Sequence, residues 1–209
     1  MKNILLGCLL AFSFNSYAVE VNGTIGYTSD YVWRGESQGN QPAFSFGAEV
    51  TTDTGFYLGA WESDVEFGDT TTETDYYGGY RLDVADNVTA DLGYMRYTYN
   101  GSTETFEEVY GIVKYHNLSV AYFQNIEDND NYGEVRYDLW FVPNVDVTVM
   151  YGMYTVDDTF WMATIGRALN ESFYIKAKIG LAVDAFGMTG NLFEGQLADN
   201  VSVGLTYNW

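Results

Sequence analysis

The chain ends in the stretch VSVGLTYNW, residues 201–209, in which apolar and small or polar side chains alternate. Successive side chains of an extended strand point to opposite faces. One face would carry Val201, Val203, Leu205, Tyr207 and Trp209. The other face would carry Ser202, Gly204, Thr206 and Asn208. A strand with one apolar and one polar face is typical of a β-barrel wall, so we predict that this stretch closes a barrel.

The aromatic residue at the end of this strand indicates where such a barrel resides. An alternating strand that ends on an aromatic residue resembles the C-terminal signal of bacterial outer-membrane proteins, which the outer-membrane assembly machinery recognises. We therefore expect the strand ending in Trp209 to bind that machinery. The same expectation places the barrel in the bacterial outer membrane, in contact with its lipids and with lipopolysaccharide.

The other end of the chain has the features of a signal peptide. Lys2 precedes an apolar run over residues 4–14, and Ser16 and Ala18 supply the small residues typical of a cleavage site. The run is shorter than the ~20 residues that a membrane-spanning helix needs. We predict a signal peptide over residues 1–18 and a barrel over residues 19–209. Cys8 lies inside the run, which continues past it, so lipidation is disfavoured.

Composition fits a single aromatic-rich domain and argues against nucleic acid as a partner. The 209 residues include 19 tyrosines, 22 glycines and only 2 prolines, and aromatic residues make up 18%. The formal net charge is −20, from 9 basic and 29 acidic residues. Binding to a phosphate backbone depends on clustered lysine and arginine, so we expect no nucleic-acid partner.

Period-two alternation recurs along the predicted mature chain, and no window has the spacing of an amphipathic helix. The clearest runs are residues 145–153 and 173–181. Each is about as long as a tilted strand that crosses a bilayer, ~9 to 11 residues. The sequence therefore predicts an all-β fold, a transmembrane antiparallel up-and-down barrel of about twelve strands.

Connections of alternating length support this topology. The predicted tight turns are residues 52–55, 85–87, 116–117, 143–144 and 170–171. The predicted longer connections are residues 34–41, 64–72, 100–104, 126–131, 155–158 and 184–197. Short periplasmic turns and long external loops are the pattern of an outer-membrane barrel. The loop at residues 184–197 is long enough to fold inward as a constriction, and the sequence leaves this open.

Alternation alone would also suit a soluble closed barrel of the lipocalin type. Such a barrel needs neither a terminal aromatic residue nor many tyrosines and tryptophans near its strand ends. Aromatic residues on the long-loop side are expected to form a girdle at the membrane surface. They are Tyr31, Trp33, Trp61, Tyr97, Tyr99, Tyr154 and Trp161.

The opening strand and loop carry a family resemblance. The stretch GYTSDYVWRGESQ, residues 26–38, is similar to the opening of the TorF family of proteobacterial porins. Residues 42–43, 55–61 and 75–80 continue the resemblance, and beyond Tyr94 it rests on strand pattern. The resemblance implies an outer-membrane barrel with a pore, and it implies no particular substrate.

Strand parity predicts which charged side chains line the lumen, because one face of each strand meets lipid and the other faces inward. The predicted basic lining residues are Arg81, Lys114, Arg136, Lys176 and Lys178. The predicted acidic lining residues are Asp75, Asp91, Glu108, Glu134, Asp138 and Asp146. Arg81 should lie opposite Asp91. Two interpretations stay open: salt bridges that hold the wall together, or a charged ring that selects ions.

Charged residues outside the lumen suggest contacts at the external surface. Acidic residues predominate in the predicted external loops, which indicates either a mouth that attracts cations or a solvated acidic surface. Arg96 has outward parity near the external end, where it would contact lipopolysaccharide phosphate unless a bulge reverses its side.

The sequence offers no convincing metal or catalytic site. Residues 128–133 imitate the start of a calcium loop, but Tyr132 stands at the fifth position and Leu139 at the twelfth, where oxygen ligands are needed. His116 is the only histidine, and it lies in a predicted periplasmic turn, whereas barrel hydrolases use a histidine near the external rim. We therefore predict no cofactor, no metal, no catalytic residues and a protein that is not an enzyme.

The function that fits these features is a narrow passive channel. Barrels of about eight strands are filled by side chains and those of ~16 to 18 strands hold an open pore, so twelve strands should pass ions or small solutes. Glycines at inward positions, such as Gly79, Gly93 and Gly152, leave room for them. The alternative is a non-conducting structural or adhesive barrel that binds lipopolysaccharide.

Overall fold

The computed structural model describes residues 19–101, 105–155, 159–183 and 201–208. The predicted signal peptide, the predicted constriction loop at residues 184–197 and Trp209 lie outside the described residues.

Within this part of the chain, twelve long antiparallel strands form a closed barrel. They are β1 (Val19–Thr28), β4 (Ala43–Thr52), β5 (Phe56–Phe67), β6 (Thr70–Ala85), β7 (Val88–Tyr99), β8 (Thr105–Tyr115), β9 (Leu118–Asn125), β10 (Tyr132–Asp138), β11 (Asp146–Tyr154), β12 (Thr159–Ala168), β13 (Phe173–Val183) and β14 (Val201–Asn208). Two short strands, β2 (Val32–Trp33) and β3 (Glu36–Ser37), pair with each other between β1 and β4.

Each long strand pairs with its neighbours in the barrel, and β1 pairs with β14 to close the wall. Side chains of paired residues point to the same face of the wall. The register therefore identifies the residues of each strand that face the interior, hereafter the inward set. The predicted antiparallel barrel of about twelve strands is confirmed. No helix among the described residues is long and apolar enough to cross a bilayer.

The outer face of the barrel is apolar and exposed. Leu58, Phe44 and Leu92 are 69%, 63% and 61% exposed, and similar residues lie on neighbouring strands. Exposed apolar surface costs roughly 25 cal/mol per Å² in water, and a continuous belt of it on a closed barrel marks contact with lipid. The wall is therefore built to lie in a bilayer.

The predicted tight turns are confirmed where the backbone adopts the left-handed conformation. Gly55, Asn87 and His116 have φ of 98°, 60° and 51°. Glycine and asparagine tolerate positive φ, which tight hairpins require. These turns join β4 to β5, β6 to β7 and β8 to β9.

Two predicted connections are wrong. Most of residues 64–72 lies in strands, because β5 ends only at Phe67 and β6 already begins at Thr70. The short turn between them contains Gly68, whose φ is 60°. The register of β5 and β6 shifts between Asp64 and Phe67, so the sequence there does not follow the period-two pattern of a regular strand. Pro143 and Asn144 form only part of a longer connection, because β10 already ends at Asp138 and β11 begins at Asp146.

Candidate functional site

The connection between β1 and β4 folds into the barrel as a hairpin. Strands β2 and β3 pair through Trp33 and Glu36, so Arg34 and Gly35 form a two-residue turn. Both have positive φ, 46° and 87°, as a type I′ hairpin turn requires. An added side chain at Gly35 would lie 2.7 Å from a ring carbon of Phe160 on β12. The tip of this hairpin, hereafter the β2–β3 hairpin, therefore packs against the inner wall.

The base of the hairpin is held by backbone and side-chain hydrogen bonds. Gln38 N donates to Tyr31 O at 2.7 Å, and Glu66 N donates to Gln38 O at 2.8 Å. Ser37 Oγ donates to Asp30 Oδ1 at 2.6 Å. These contacts fix the hairpin at the external end of the barrel. The predicted long connection at residues 34–41 is present between β1 and β4, but part of it folds into the barrel instead of remaining an external loop.

Arg34 is the main anchor of the hairpin. Its Nη1 and Nη2 atoms donate to the two carboxylate oxygens of Glu108 on β8, each at 2.8 Å. Tyr97 OH donates to Glu108 Oε2 at 2.9 Å. The side chains of Arg34 and Glu108 are 6% and 0% exposed. Bidentate hydrogen bonds between arginine and a carboxylate are among the strongest polar contacts in proteins, and removing one partner of a buried pair leaves the other charge buried without compensation.

Aromatic rings enclose the guanidinium of Arg34. Its central carbon lies 4.3, 4.5 and 4.1 Å from the ring centroids of Trp33, Phe123 and Tyr132. Burial alone would lower the pKa of Arg34, but the hydrogen bonds to Glu108 outweigh it and the pKa is raised. The residue stays charged, and its position is fixed by both the carboxylate and the rings.

The predicted aromatic girdle is largely wrong. Tyr31 and Trp33 belong to the hairpin segment, and their rings pack against Trp61 and Tyr97 at centroid distances of 5.3 and 5.7 Å. The inward set also contains Tyr99 and Tyr154. Of the seven predicted residues, Trp161 alone faces outward, where it is 44% exposed. Tyr31 and Trp33 lie inside because the chain turns inward after Thr28, and the other four lie inside because their strand positions belong to the inward set.

Two cavities flank the hairpin inside the barrel. One of about 420 Å³ is bounded by Arg34, Asp75, Glu134 and Arg136 among others. Another of about 150 Å³ includes Lys176 in its lining. Tyr31, Val32 and Trp61 line both cavities, which therefore meet at the hairpin.

A second charged cluster lies deeper in the barrel, toward the short turns. Arg81 binds Glu49 at 2.6 and 2.9 Å and Asp91 at 3.2 Å. The Arg81 guanidinium lies 3.8 Å from the ring centroid of Tyr57, whose hydroxyl donates to Asp91 at 2.5 Å. Arg81 and Asp91 are register partners on β6 and β7, as their spacing about the turn predicts.

The remaining predicted lining residues fall on the same inward set. Lys114 lies 3.5 Å from Asp138, and Arg136 lies 2.6 Å from Glu134. Lys176 lies 5.7 Å from the ring centroid of Tyr174. Lys178 is in β13, but its side chain lies outside the described part. The structure thus brings charges together in ion pairs, while the role of each residue in permeation stays a prediction.

Several site residues were not predicted from the sequence. Arg34, Glu49, Tyr57 and Glu73 all contribute side chains to the interior. Tyr31 donates to Glu73 at 3.2 Å, and burial together with Glu73 raises the pKa of Tyr31, which keeps its proton. Strand parity could have found Glu49, Tyr57 and Glu73. Arg34 could not be found this way, because it is not on a barrel strand.

The inward glycines do not leave open space. A side chain at Gly152 would collide with Phe160 and Tyr132, and one at Gly93 would collide with Tyr110. Neighbouring aromatic rings already occupy the space that a side chain at these positions would need. The expectation that these glycines widen a passage is therefore wrong.

Arg96 does face outward, as its parity predicts, and it pairs with Glu107 at 3.5 Å. In the described ranges, no group of three or more histidine, cysteine, aspartate and glutamate side chains is arranged to hold a metal ion.

Comparisons with known proteins agree with this architecture. A family model described as a bacterial protein of unknown function, Gcw_chp, matches residues 14–196. Searching the curated proteins gives no significant match.

Solved structures share the fold at low sequence identity. A structure titled "KdgM porin" is 12% identical, with a TM-score of 0.62 over 89% of this chain and 98% of that one. A "KdgM porin in complex with disordered oligogalacturonate" is 10% identical, with a TM-score of 0.61 over 91% of this chain and 98% of that one. Outer membrane phospholipase A from Escherichia coli is 10% identical, with a TM-score of 0.49 over 90% of this chain and 92% of that one. The two KdgM structures show that the fold is that of outer-membrane porin barrels, and with the apolar outer wall this fold places the protein in the bacterial outer membrane.

Proposed function

Because the chain belongs to the Gcw_chp family of bacterial proteins, whose function is unknown, its activity has to be argued from the site, and we propose that it is a porin. In this proposal ions or small solutes cross the outer membrane by passive diffusion through a narrow charged lumen. The stretch that carries the TorF resemblance, residues 26–38, contains the end of β1 and the whole β2–β3 hairpin, and we extend the proposal to membership of that porin family.

One observation carries the proposal: the two cavities beside the hairpin share lining residues and contain charged groups. Arg136 and Lys176, which line different cavities, are inward residues of β10 and β13. A barrel that served only as an anchor would have no need for buried charges, which are costly without function or pairing. A charged interior of this kind suits hydrated ions.

The balance of charge favours small cations over anions. Glu73 and Asp75 lie on the inward face of β6, and neither has a basic side chain within 4.0 Å in the described residues. Lys176 offsets them from the opposite side of the lumen. The related KdgM structure contains oligogalacturonate. We propose a different preference here, because unpaired carboxylates repel a polyanion.

The rival proposal is a non-conducting barrel that binds lipopolysaccharide. Its best basic candidate on the outer face near the external end is Arg96, and that residue is already paired with Glu107. This contact supports the channel over the anchor. Contacts with outer-membrane lipids and lipopolysaccharide, and binding of the assembly machinery to the strand ending in Trp209, stay proposals.

We also propose that the protein is not an enzyme. His116, the only histidine, lies in the turn between β8 and β9, where it packs on Tyr115. It has no place near the charged interior from which it could act as a base.

Planar-bilayer recording of the purified, folded protein tests the channel. The proposal predicts discrete conductance steps that grow with salt concentration. A silent bilayer into which folded protein has demonstrably inserted would contradict it and favour the anchor.

Charge reversal at Lys176 is expected to increase cation preference. The substitution Lys176→Glu replaces an inward positive charge by a negative one, so the reversal potential in a salt gradient should move toward the cation limit. Arg167→Glu makes the same change in charge on the outward face of neighbouring β12 and should leave the reversal potential unchanged. An unchanged potential in Lys176→Glu would reject the lumenal role of this residue.

A further inference from the structure

Asp75 is a buried carboxylate without a basic partner. It is 6% exposed, and its Oδ1 atom has no hydrogen-bond donor among the described residues. The other charged residues of the same cavity are paired, Arg34 with Glu108 and Arg136 with Glu134. A buried carboxyl without a basic partner is stable only when it holds a proton or meets a cation. Beside a cavity, a cationic group from outside the chain can take the place of that proton.

Aromatic rings flank this carboxylate. Trp61 on β5 and Tyr97 on β7 are its register partners on either side. Tyr31 and Trp33 of the hairpin segment pack against these two rings at 5.3 and 5.7 Å. All four rings and Asp75 line the cavity of about 420 Å³, which is within the usual range for small-molecule sites.

The same lumen shows what such an arrangement can hold. The guanidinium of Arg34 lies over the rings of Trp33, Phe123 and Tyr132, and Glu108 supplies the opposing carboxylate. Asp75 with its flanking rings offers the same chemistry, a carboxylate beside aromatic faces, but no cation of the chain occupies it in the described part.

We propose that Asp75 and the four surrounding rings form a binding site for small organic ammonium ions. The carboxylate balances the positive charge, and the electron-rich faces of the rings hold the alkyl groups that surround it. Inorganic cations bind more weakly, because rings cannot replace their hydration shell. The site names a solute class for the porin, and its role in permeation rests on the proposed function.

Tetramethylammonium chloride is a suitable probe, titrated into the purified protein folded in detergent. Trp33 and Trp61 line the site, so intrinsic fluorescence should change saturably, while sodium chloride at equal ionic strength should give no saturable change. Asp75→Asn keeps the shape and removes the charge, and it should weaken tetramethylammonium binding at least tenfold. Glu62→Gln changes a carboxylate next to Trp61 that lies on the outward face, and it should bind like the original protein.

Folding of the variants is checked separately by unfolding temperature. Asp75→Asn replaces a buried carboxyl that has no basic partner by a neutral amide of nearly the same shape, so it should not lower that temperature. Trp61→Leu keeps the carboxylate but removes a ring, and it too should weaken binding, which gives a second test if either variant folds poorly. Equal affinity in the original protein and in folded Asp75→Asn would overturn the site.

Measuring both ammonium binding and conduction distinguishes failure of the ammonium site from failure of the porin proposal. Channels that conduct but bind tetramethylammonium without saturation would leave the porin standing and overturn the ammonium site. Saturable, Asp75-dependent binding by a protein that is silent in bilayers would support the site and reject the channel.

Discussion

Replacing Glu108 by alanine is expected to release the β2–β3 hairpin and to raise single-channel conductance severalfold. The substitution removes both acceptors of Arg34 and leaves its guanidinium buried at 6% exposure without a counter-charge. Stranding a buried charge in this way costs about 3 to 5 kcal/mol. A cost of that size changes the equilibrium constant between the docked and the released hairpin by on the order of a hundredfold or more in favour of release, because each 1.4 kcal/mol corresponds to about a tenfold change.

The neighbouring residue provides the control. Glu107→Ala removes the partner of Arg96 on the outer face, where the two side chains are 25% and 47% exposed. Exposed pairs contribute at most about 1 kcal/mol, so conductance and stability should scarcely change. A double variant, Arg34→Ala with Glu108→Ala, buries no lone charge, so it should regain stability and its conductance should return toward that of the original protein. Unaltered conductance in folded Glu108→Ala would show that the hairpin does not restrict the pore.

The second large effect is expected on the lipid-facing wall. Leu92 lies on the outer face of β7, away from both strand ends, and is 61% exposed. Leu92→Arg would put a guanidinium into hydrocarbon, which costs ~2 to 4 kcal/mol near the middle of a bilayer. The loss is measured as the change in the free energy of unfolding, from denaturant titration of the protein in lipid vesicles.

Ile112 on β8 supplies the matched inward position. It is the register partner of Asp91, next to Leu92 along β7, so the two sites lie at nearly the same height but on opposite faces. Ile112→Arg would meet the carboxylate of Asp91 in the polar interior, and its expected loss is less than half that of Leu92→Arg. An equal or larger loss at Ile112 would contradict the assignment of faces.

The wall of the barrel could be predicted from the sequence because its physics is local. Each strand separates lipid from interior, so alternation marks both the strand and its two faces, as at residues 145–153. Tight turns such as Gly55 and Asn87 could be predicted for the same reason, since positive φ favours these residue types.

The hairpin could not be predicted this way. Tyr31 and Trp33 continue the alternation of β1, so the pattern extends a strand that in fact ends at Thr28. What draws the segment inward is the contact of Arg34 with Glu108, which is 74 residues away in sequence. Local periodicity contains no information about such a pair.

The same limit explains the misplaced aromatic girdle. Tryptophan and tyrosine are residue types common at the membrane surface, but the strand parity of Trp61 and Tyr97 puts them on the inward face beside Asp75. Strict use of the register would have placed them inside, whereas position near a strand end suggested the membrane surface. Their burial by Tyr31 and Trp33 depends on the hairpin.

Single-cysteine scanning of β7 tests most directly that the wall alternates between lipid and an aqueous interior. In a protein whose Cys8 is replaced by serine, residues 91, 92, 94 and 95 are changed one at a time to cysteine and exposed to a water-soluble maleimide in lipid vesicles, Gly93 being left unchanged because a side chain there would collide with Tyr110. Labelling is expected at positions 91 and 95, and protection is expected at positions 92 and 94. Uniform labelling, or labelling at positions 92 and 94, would contradict the alternation of the wall.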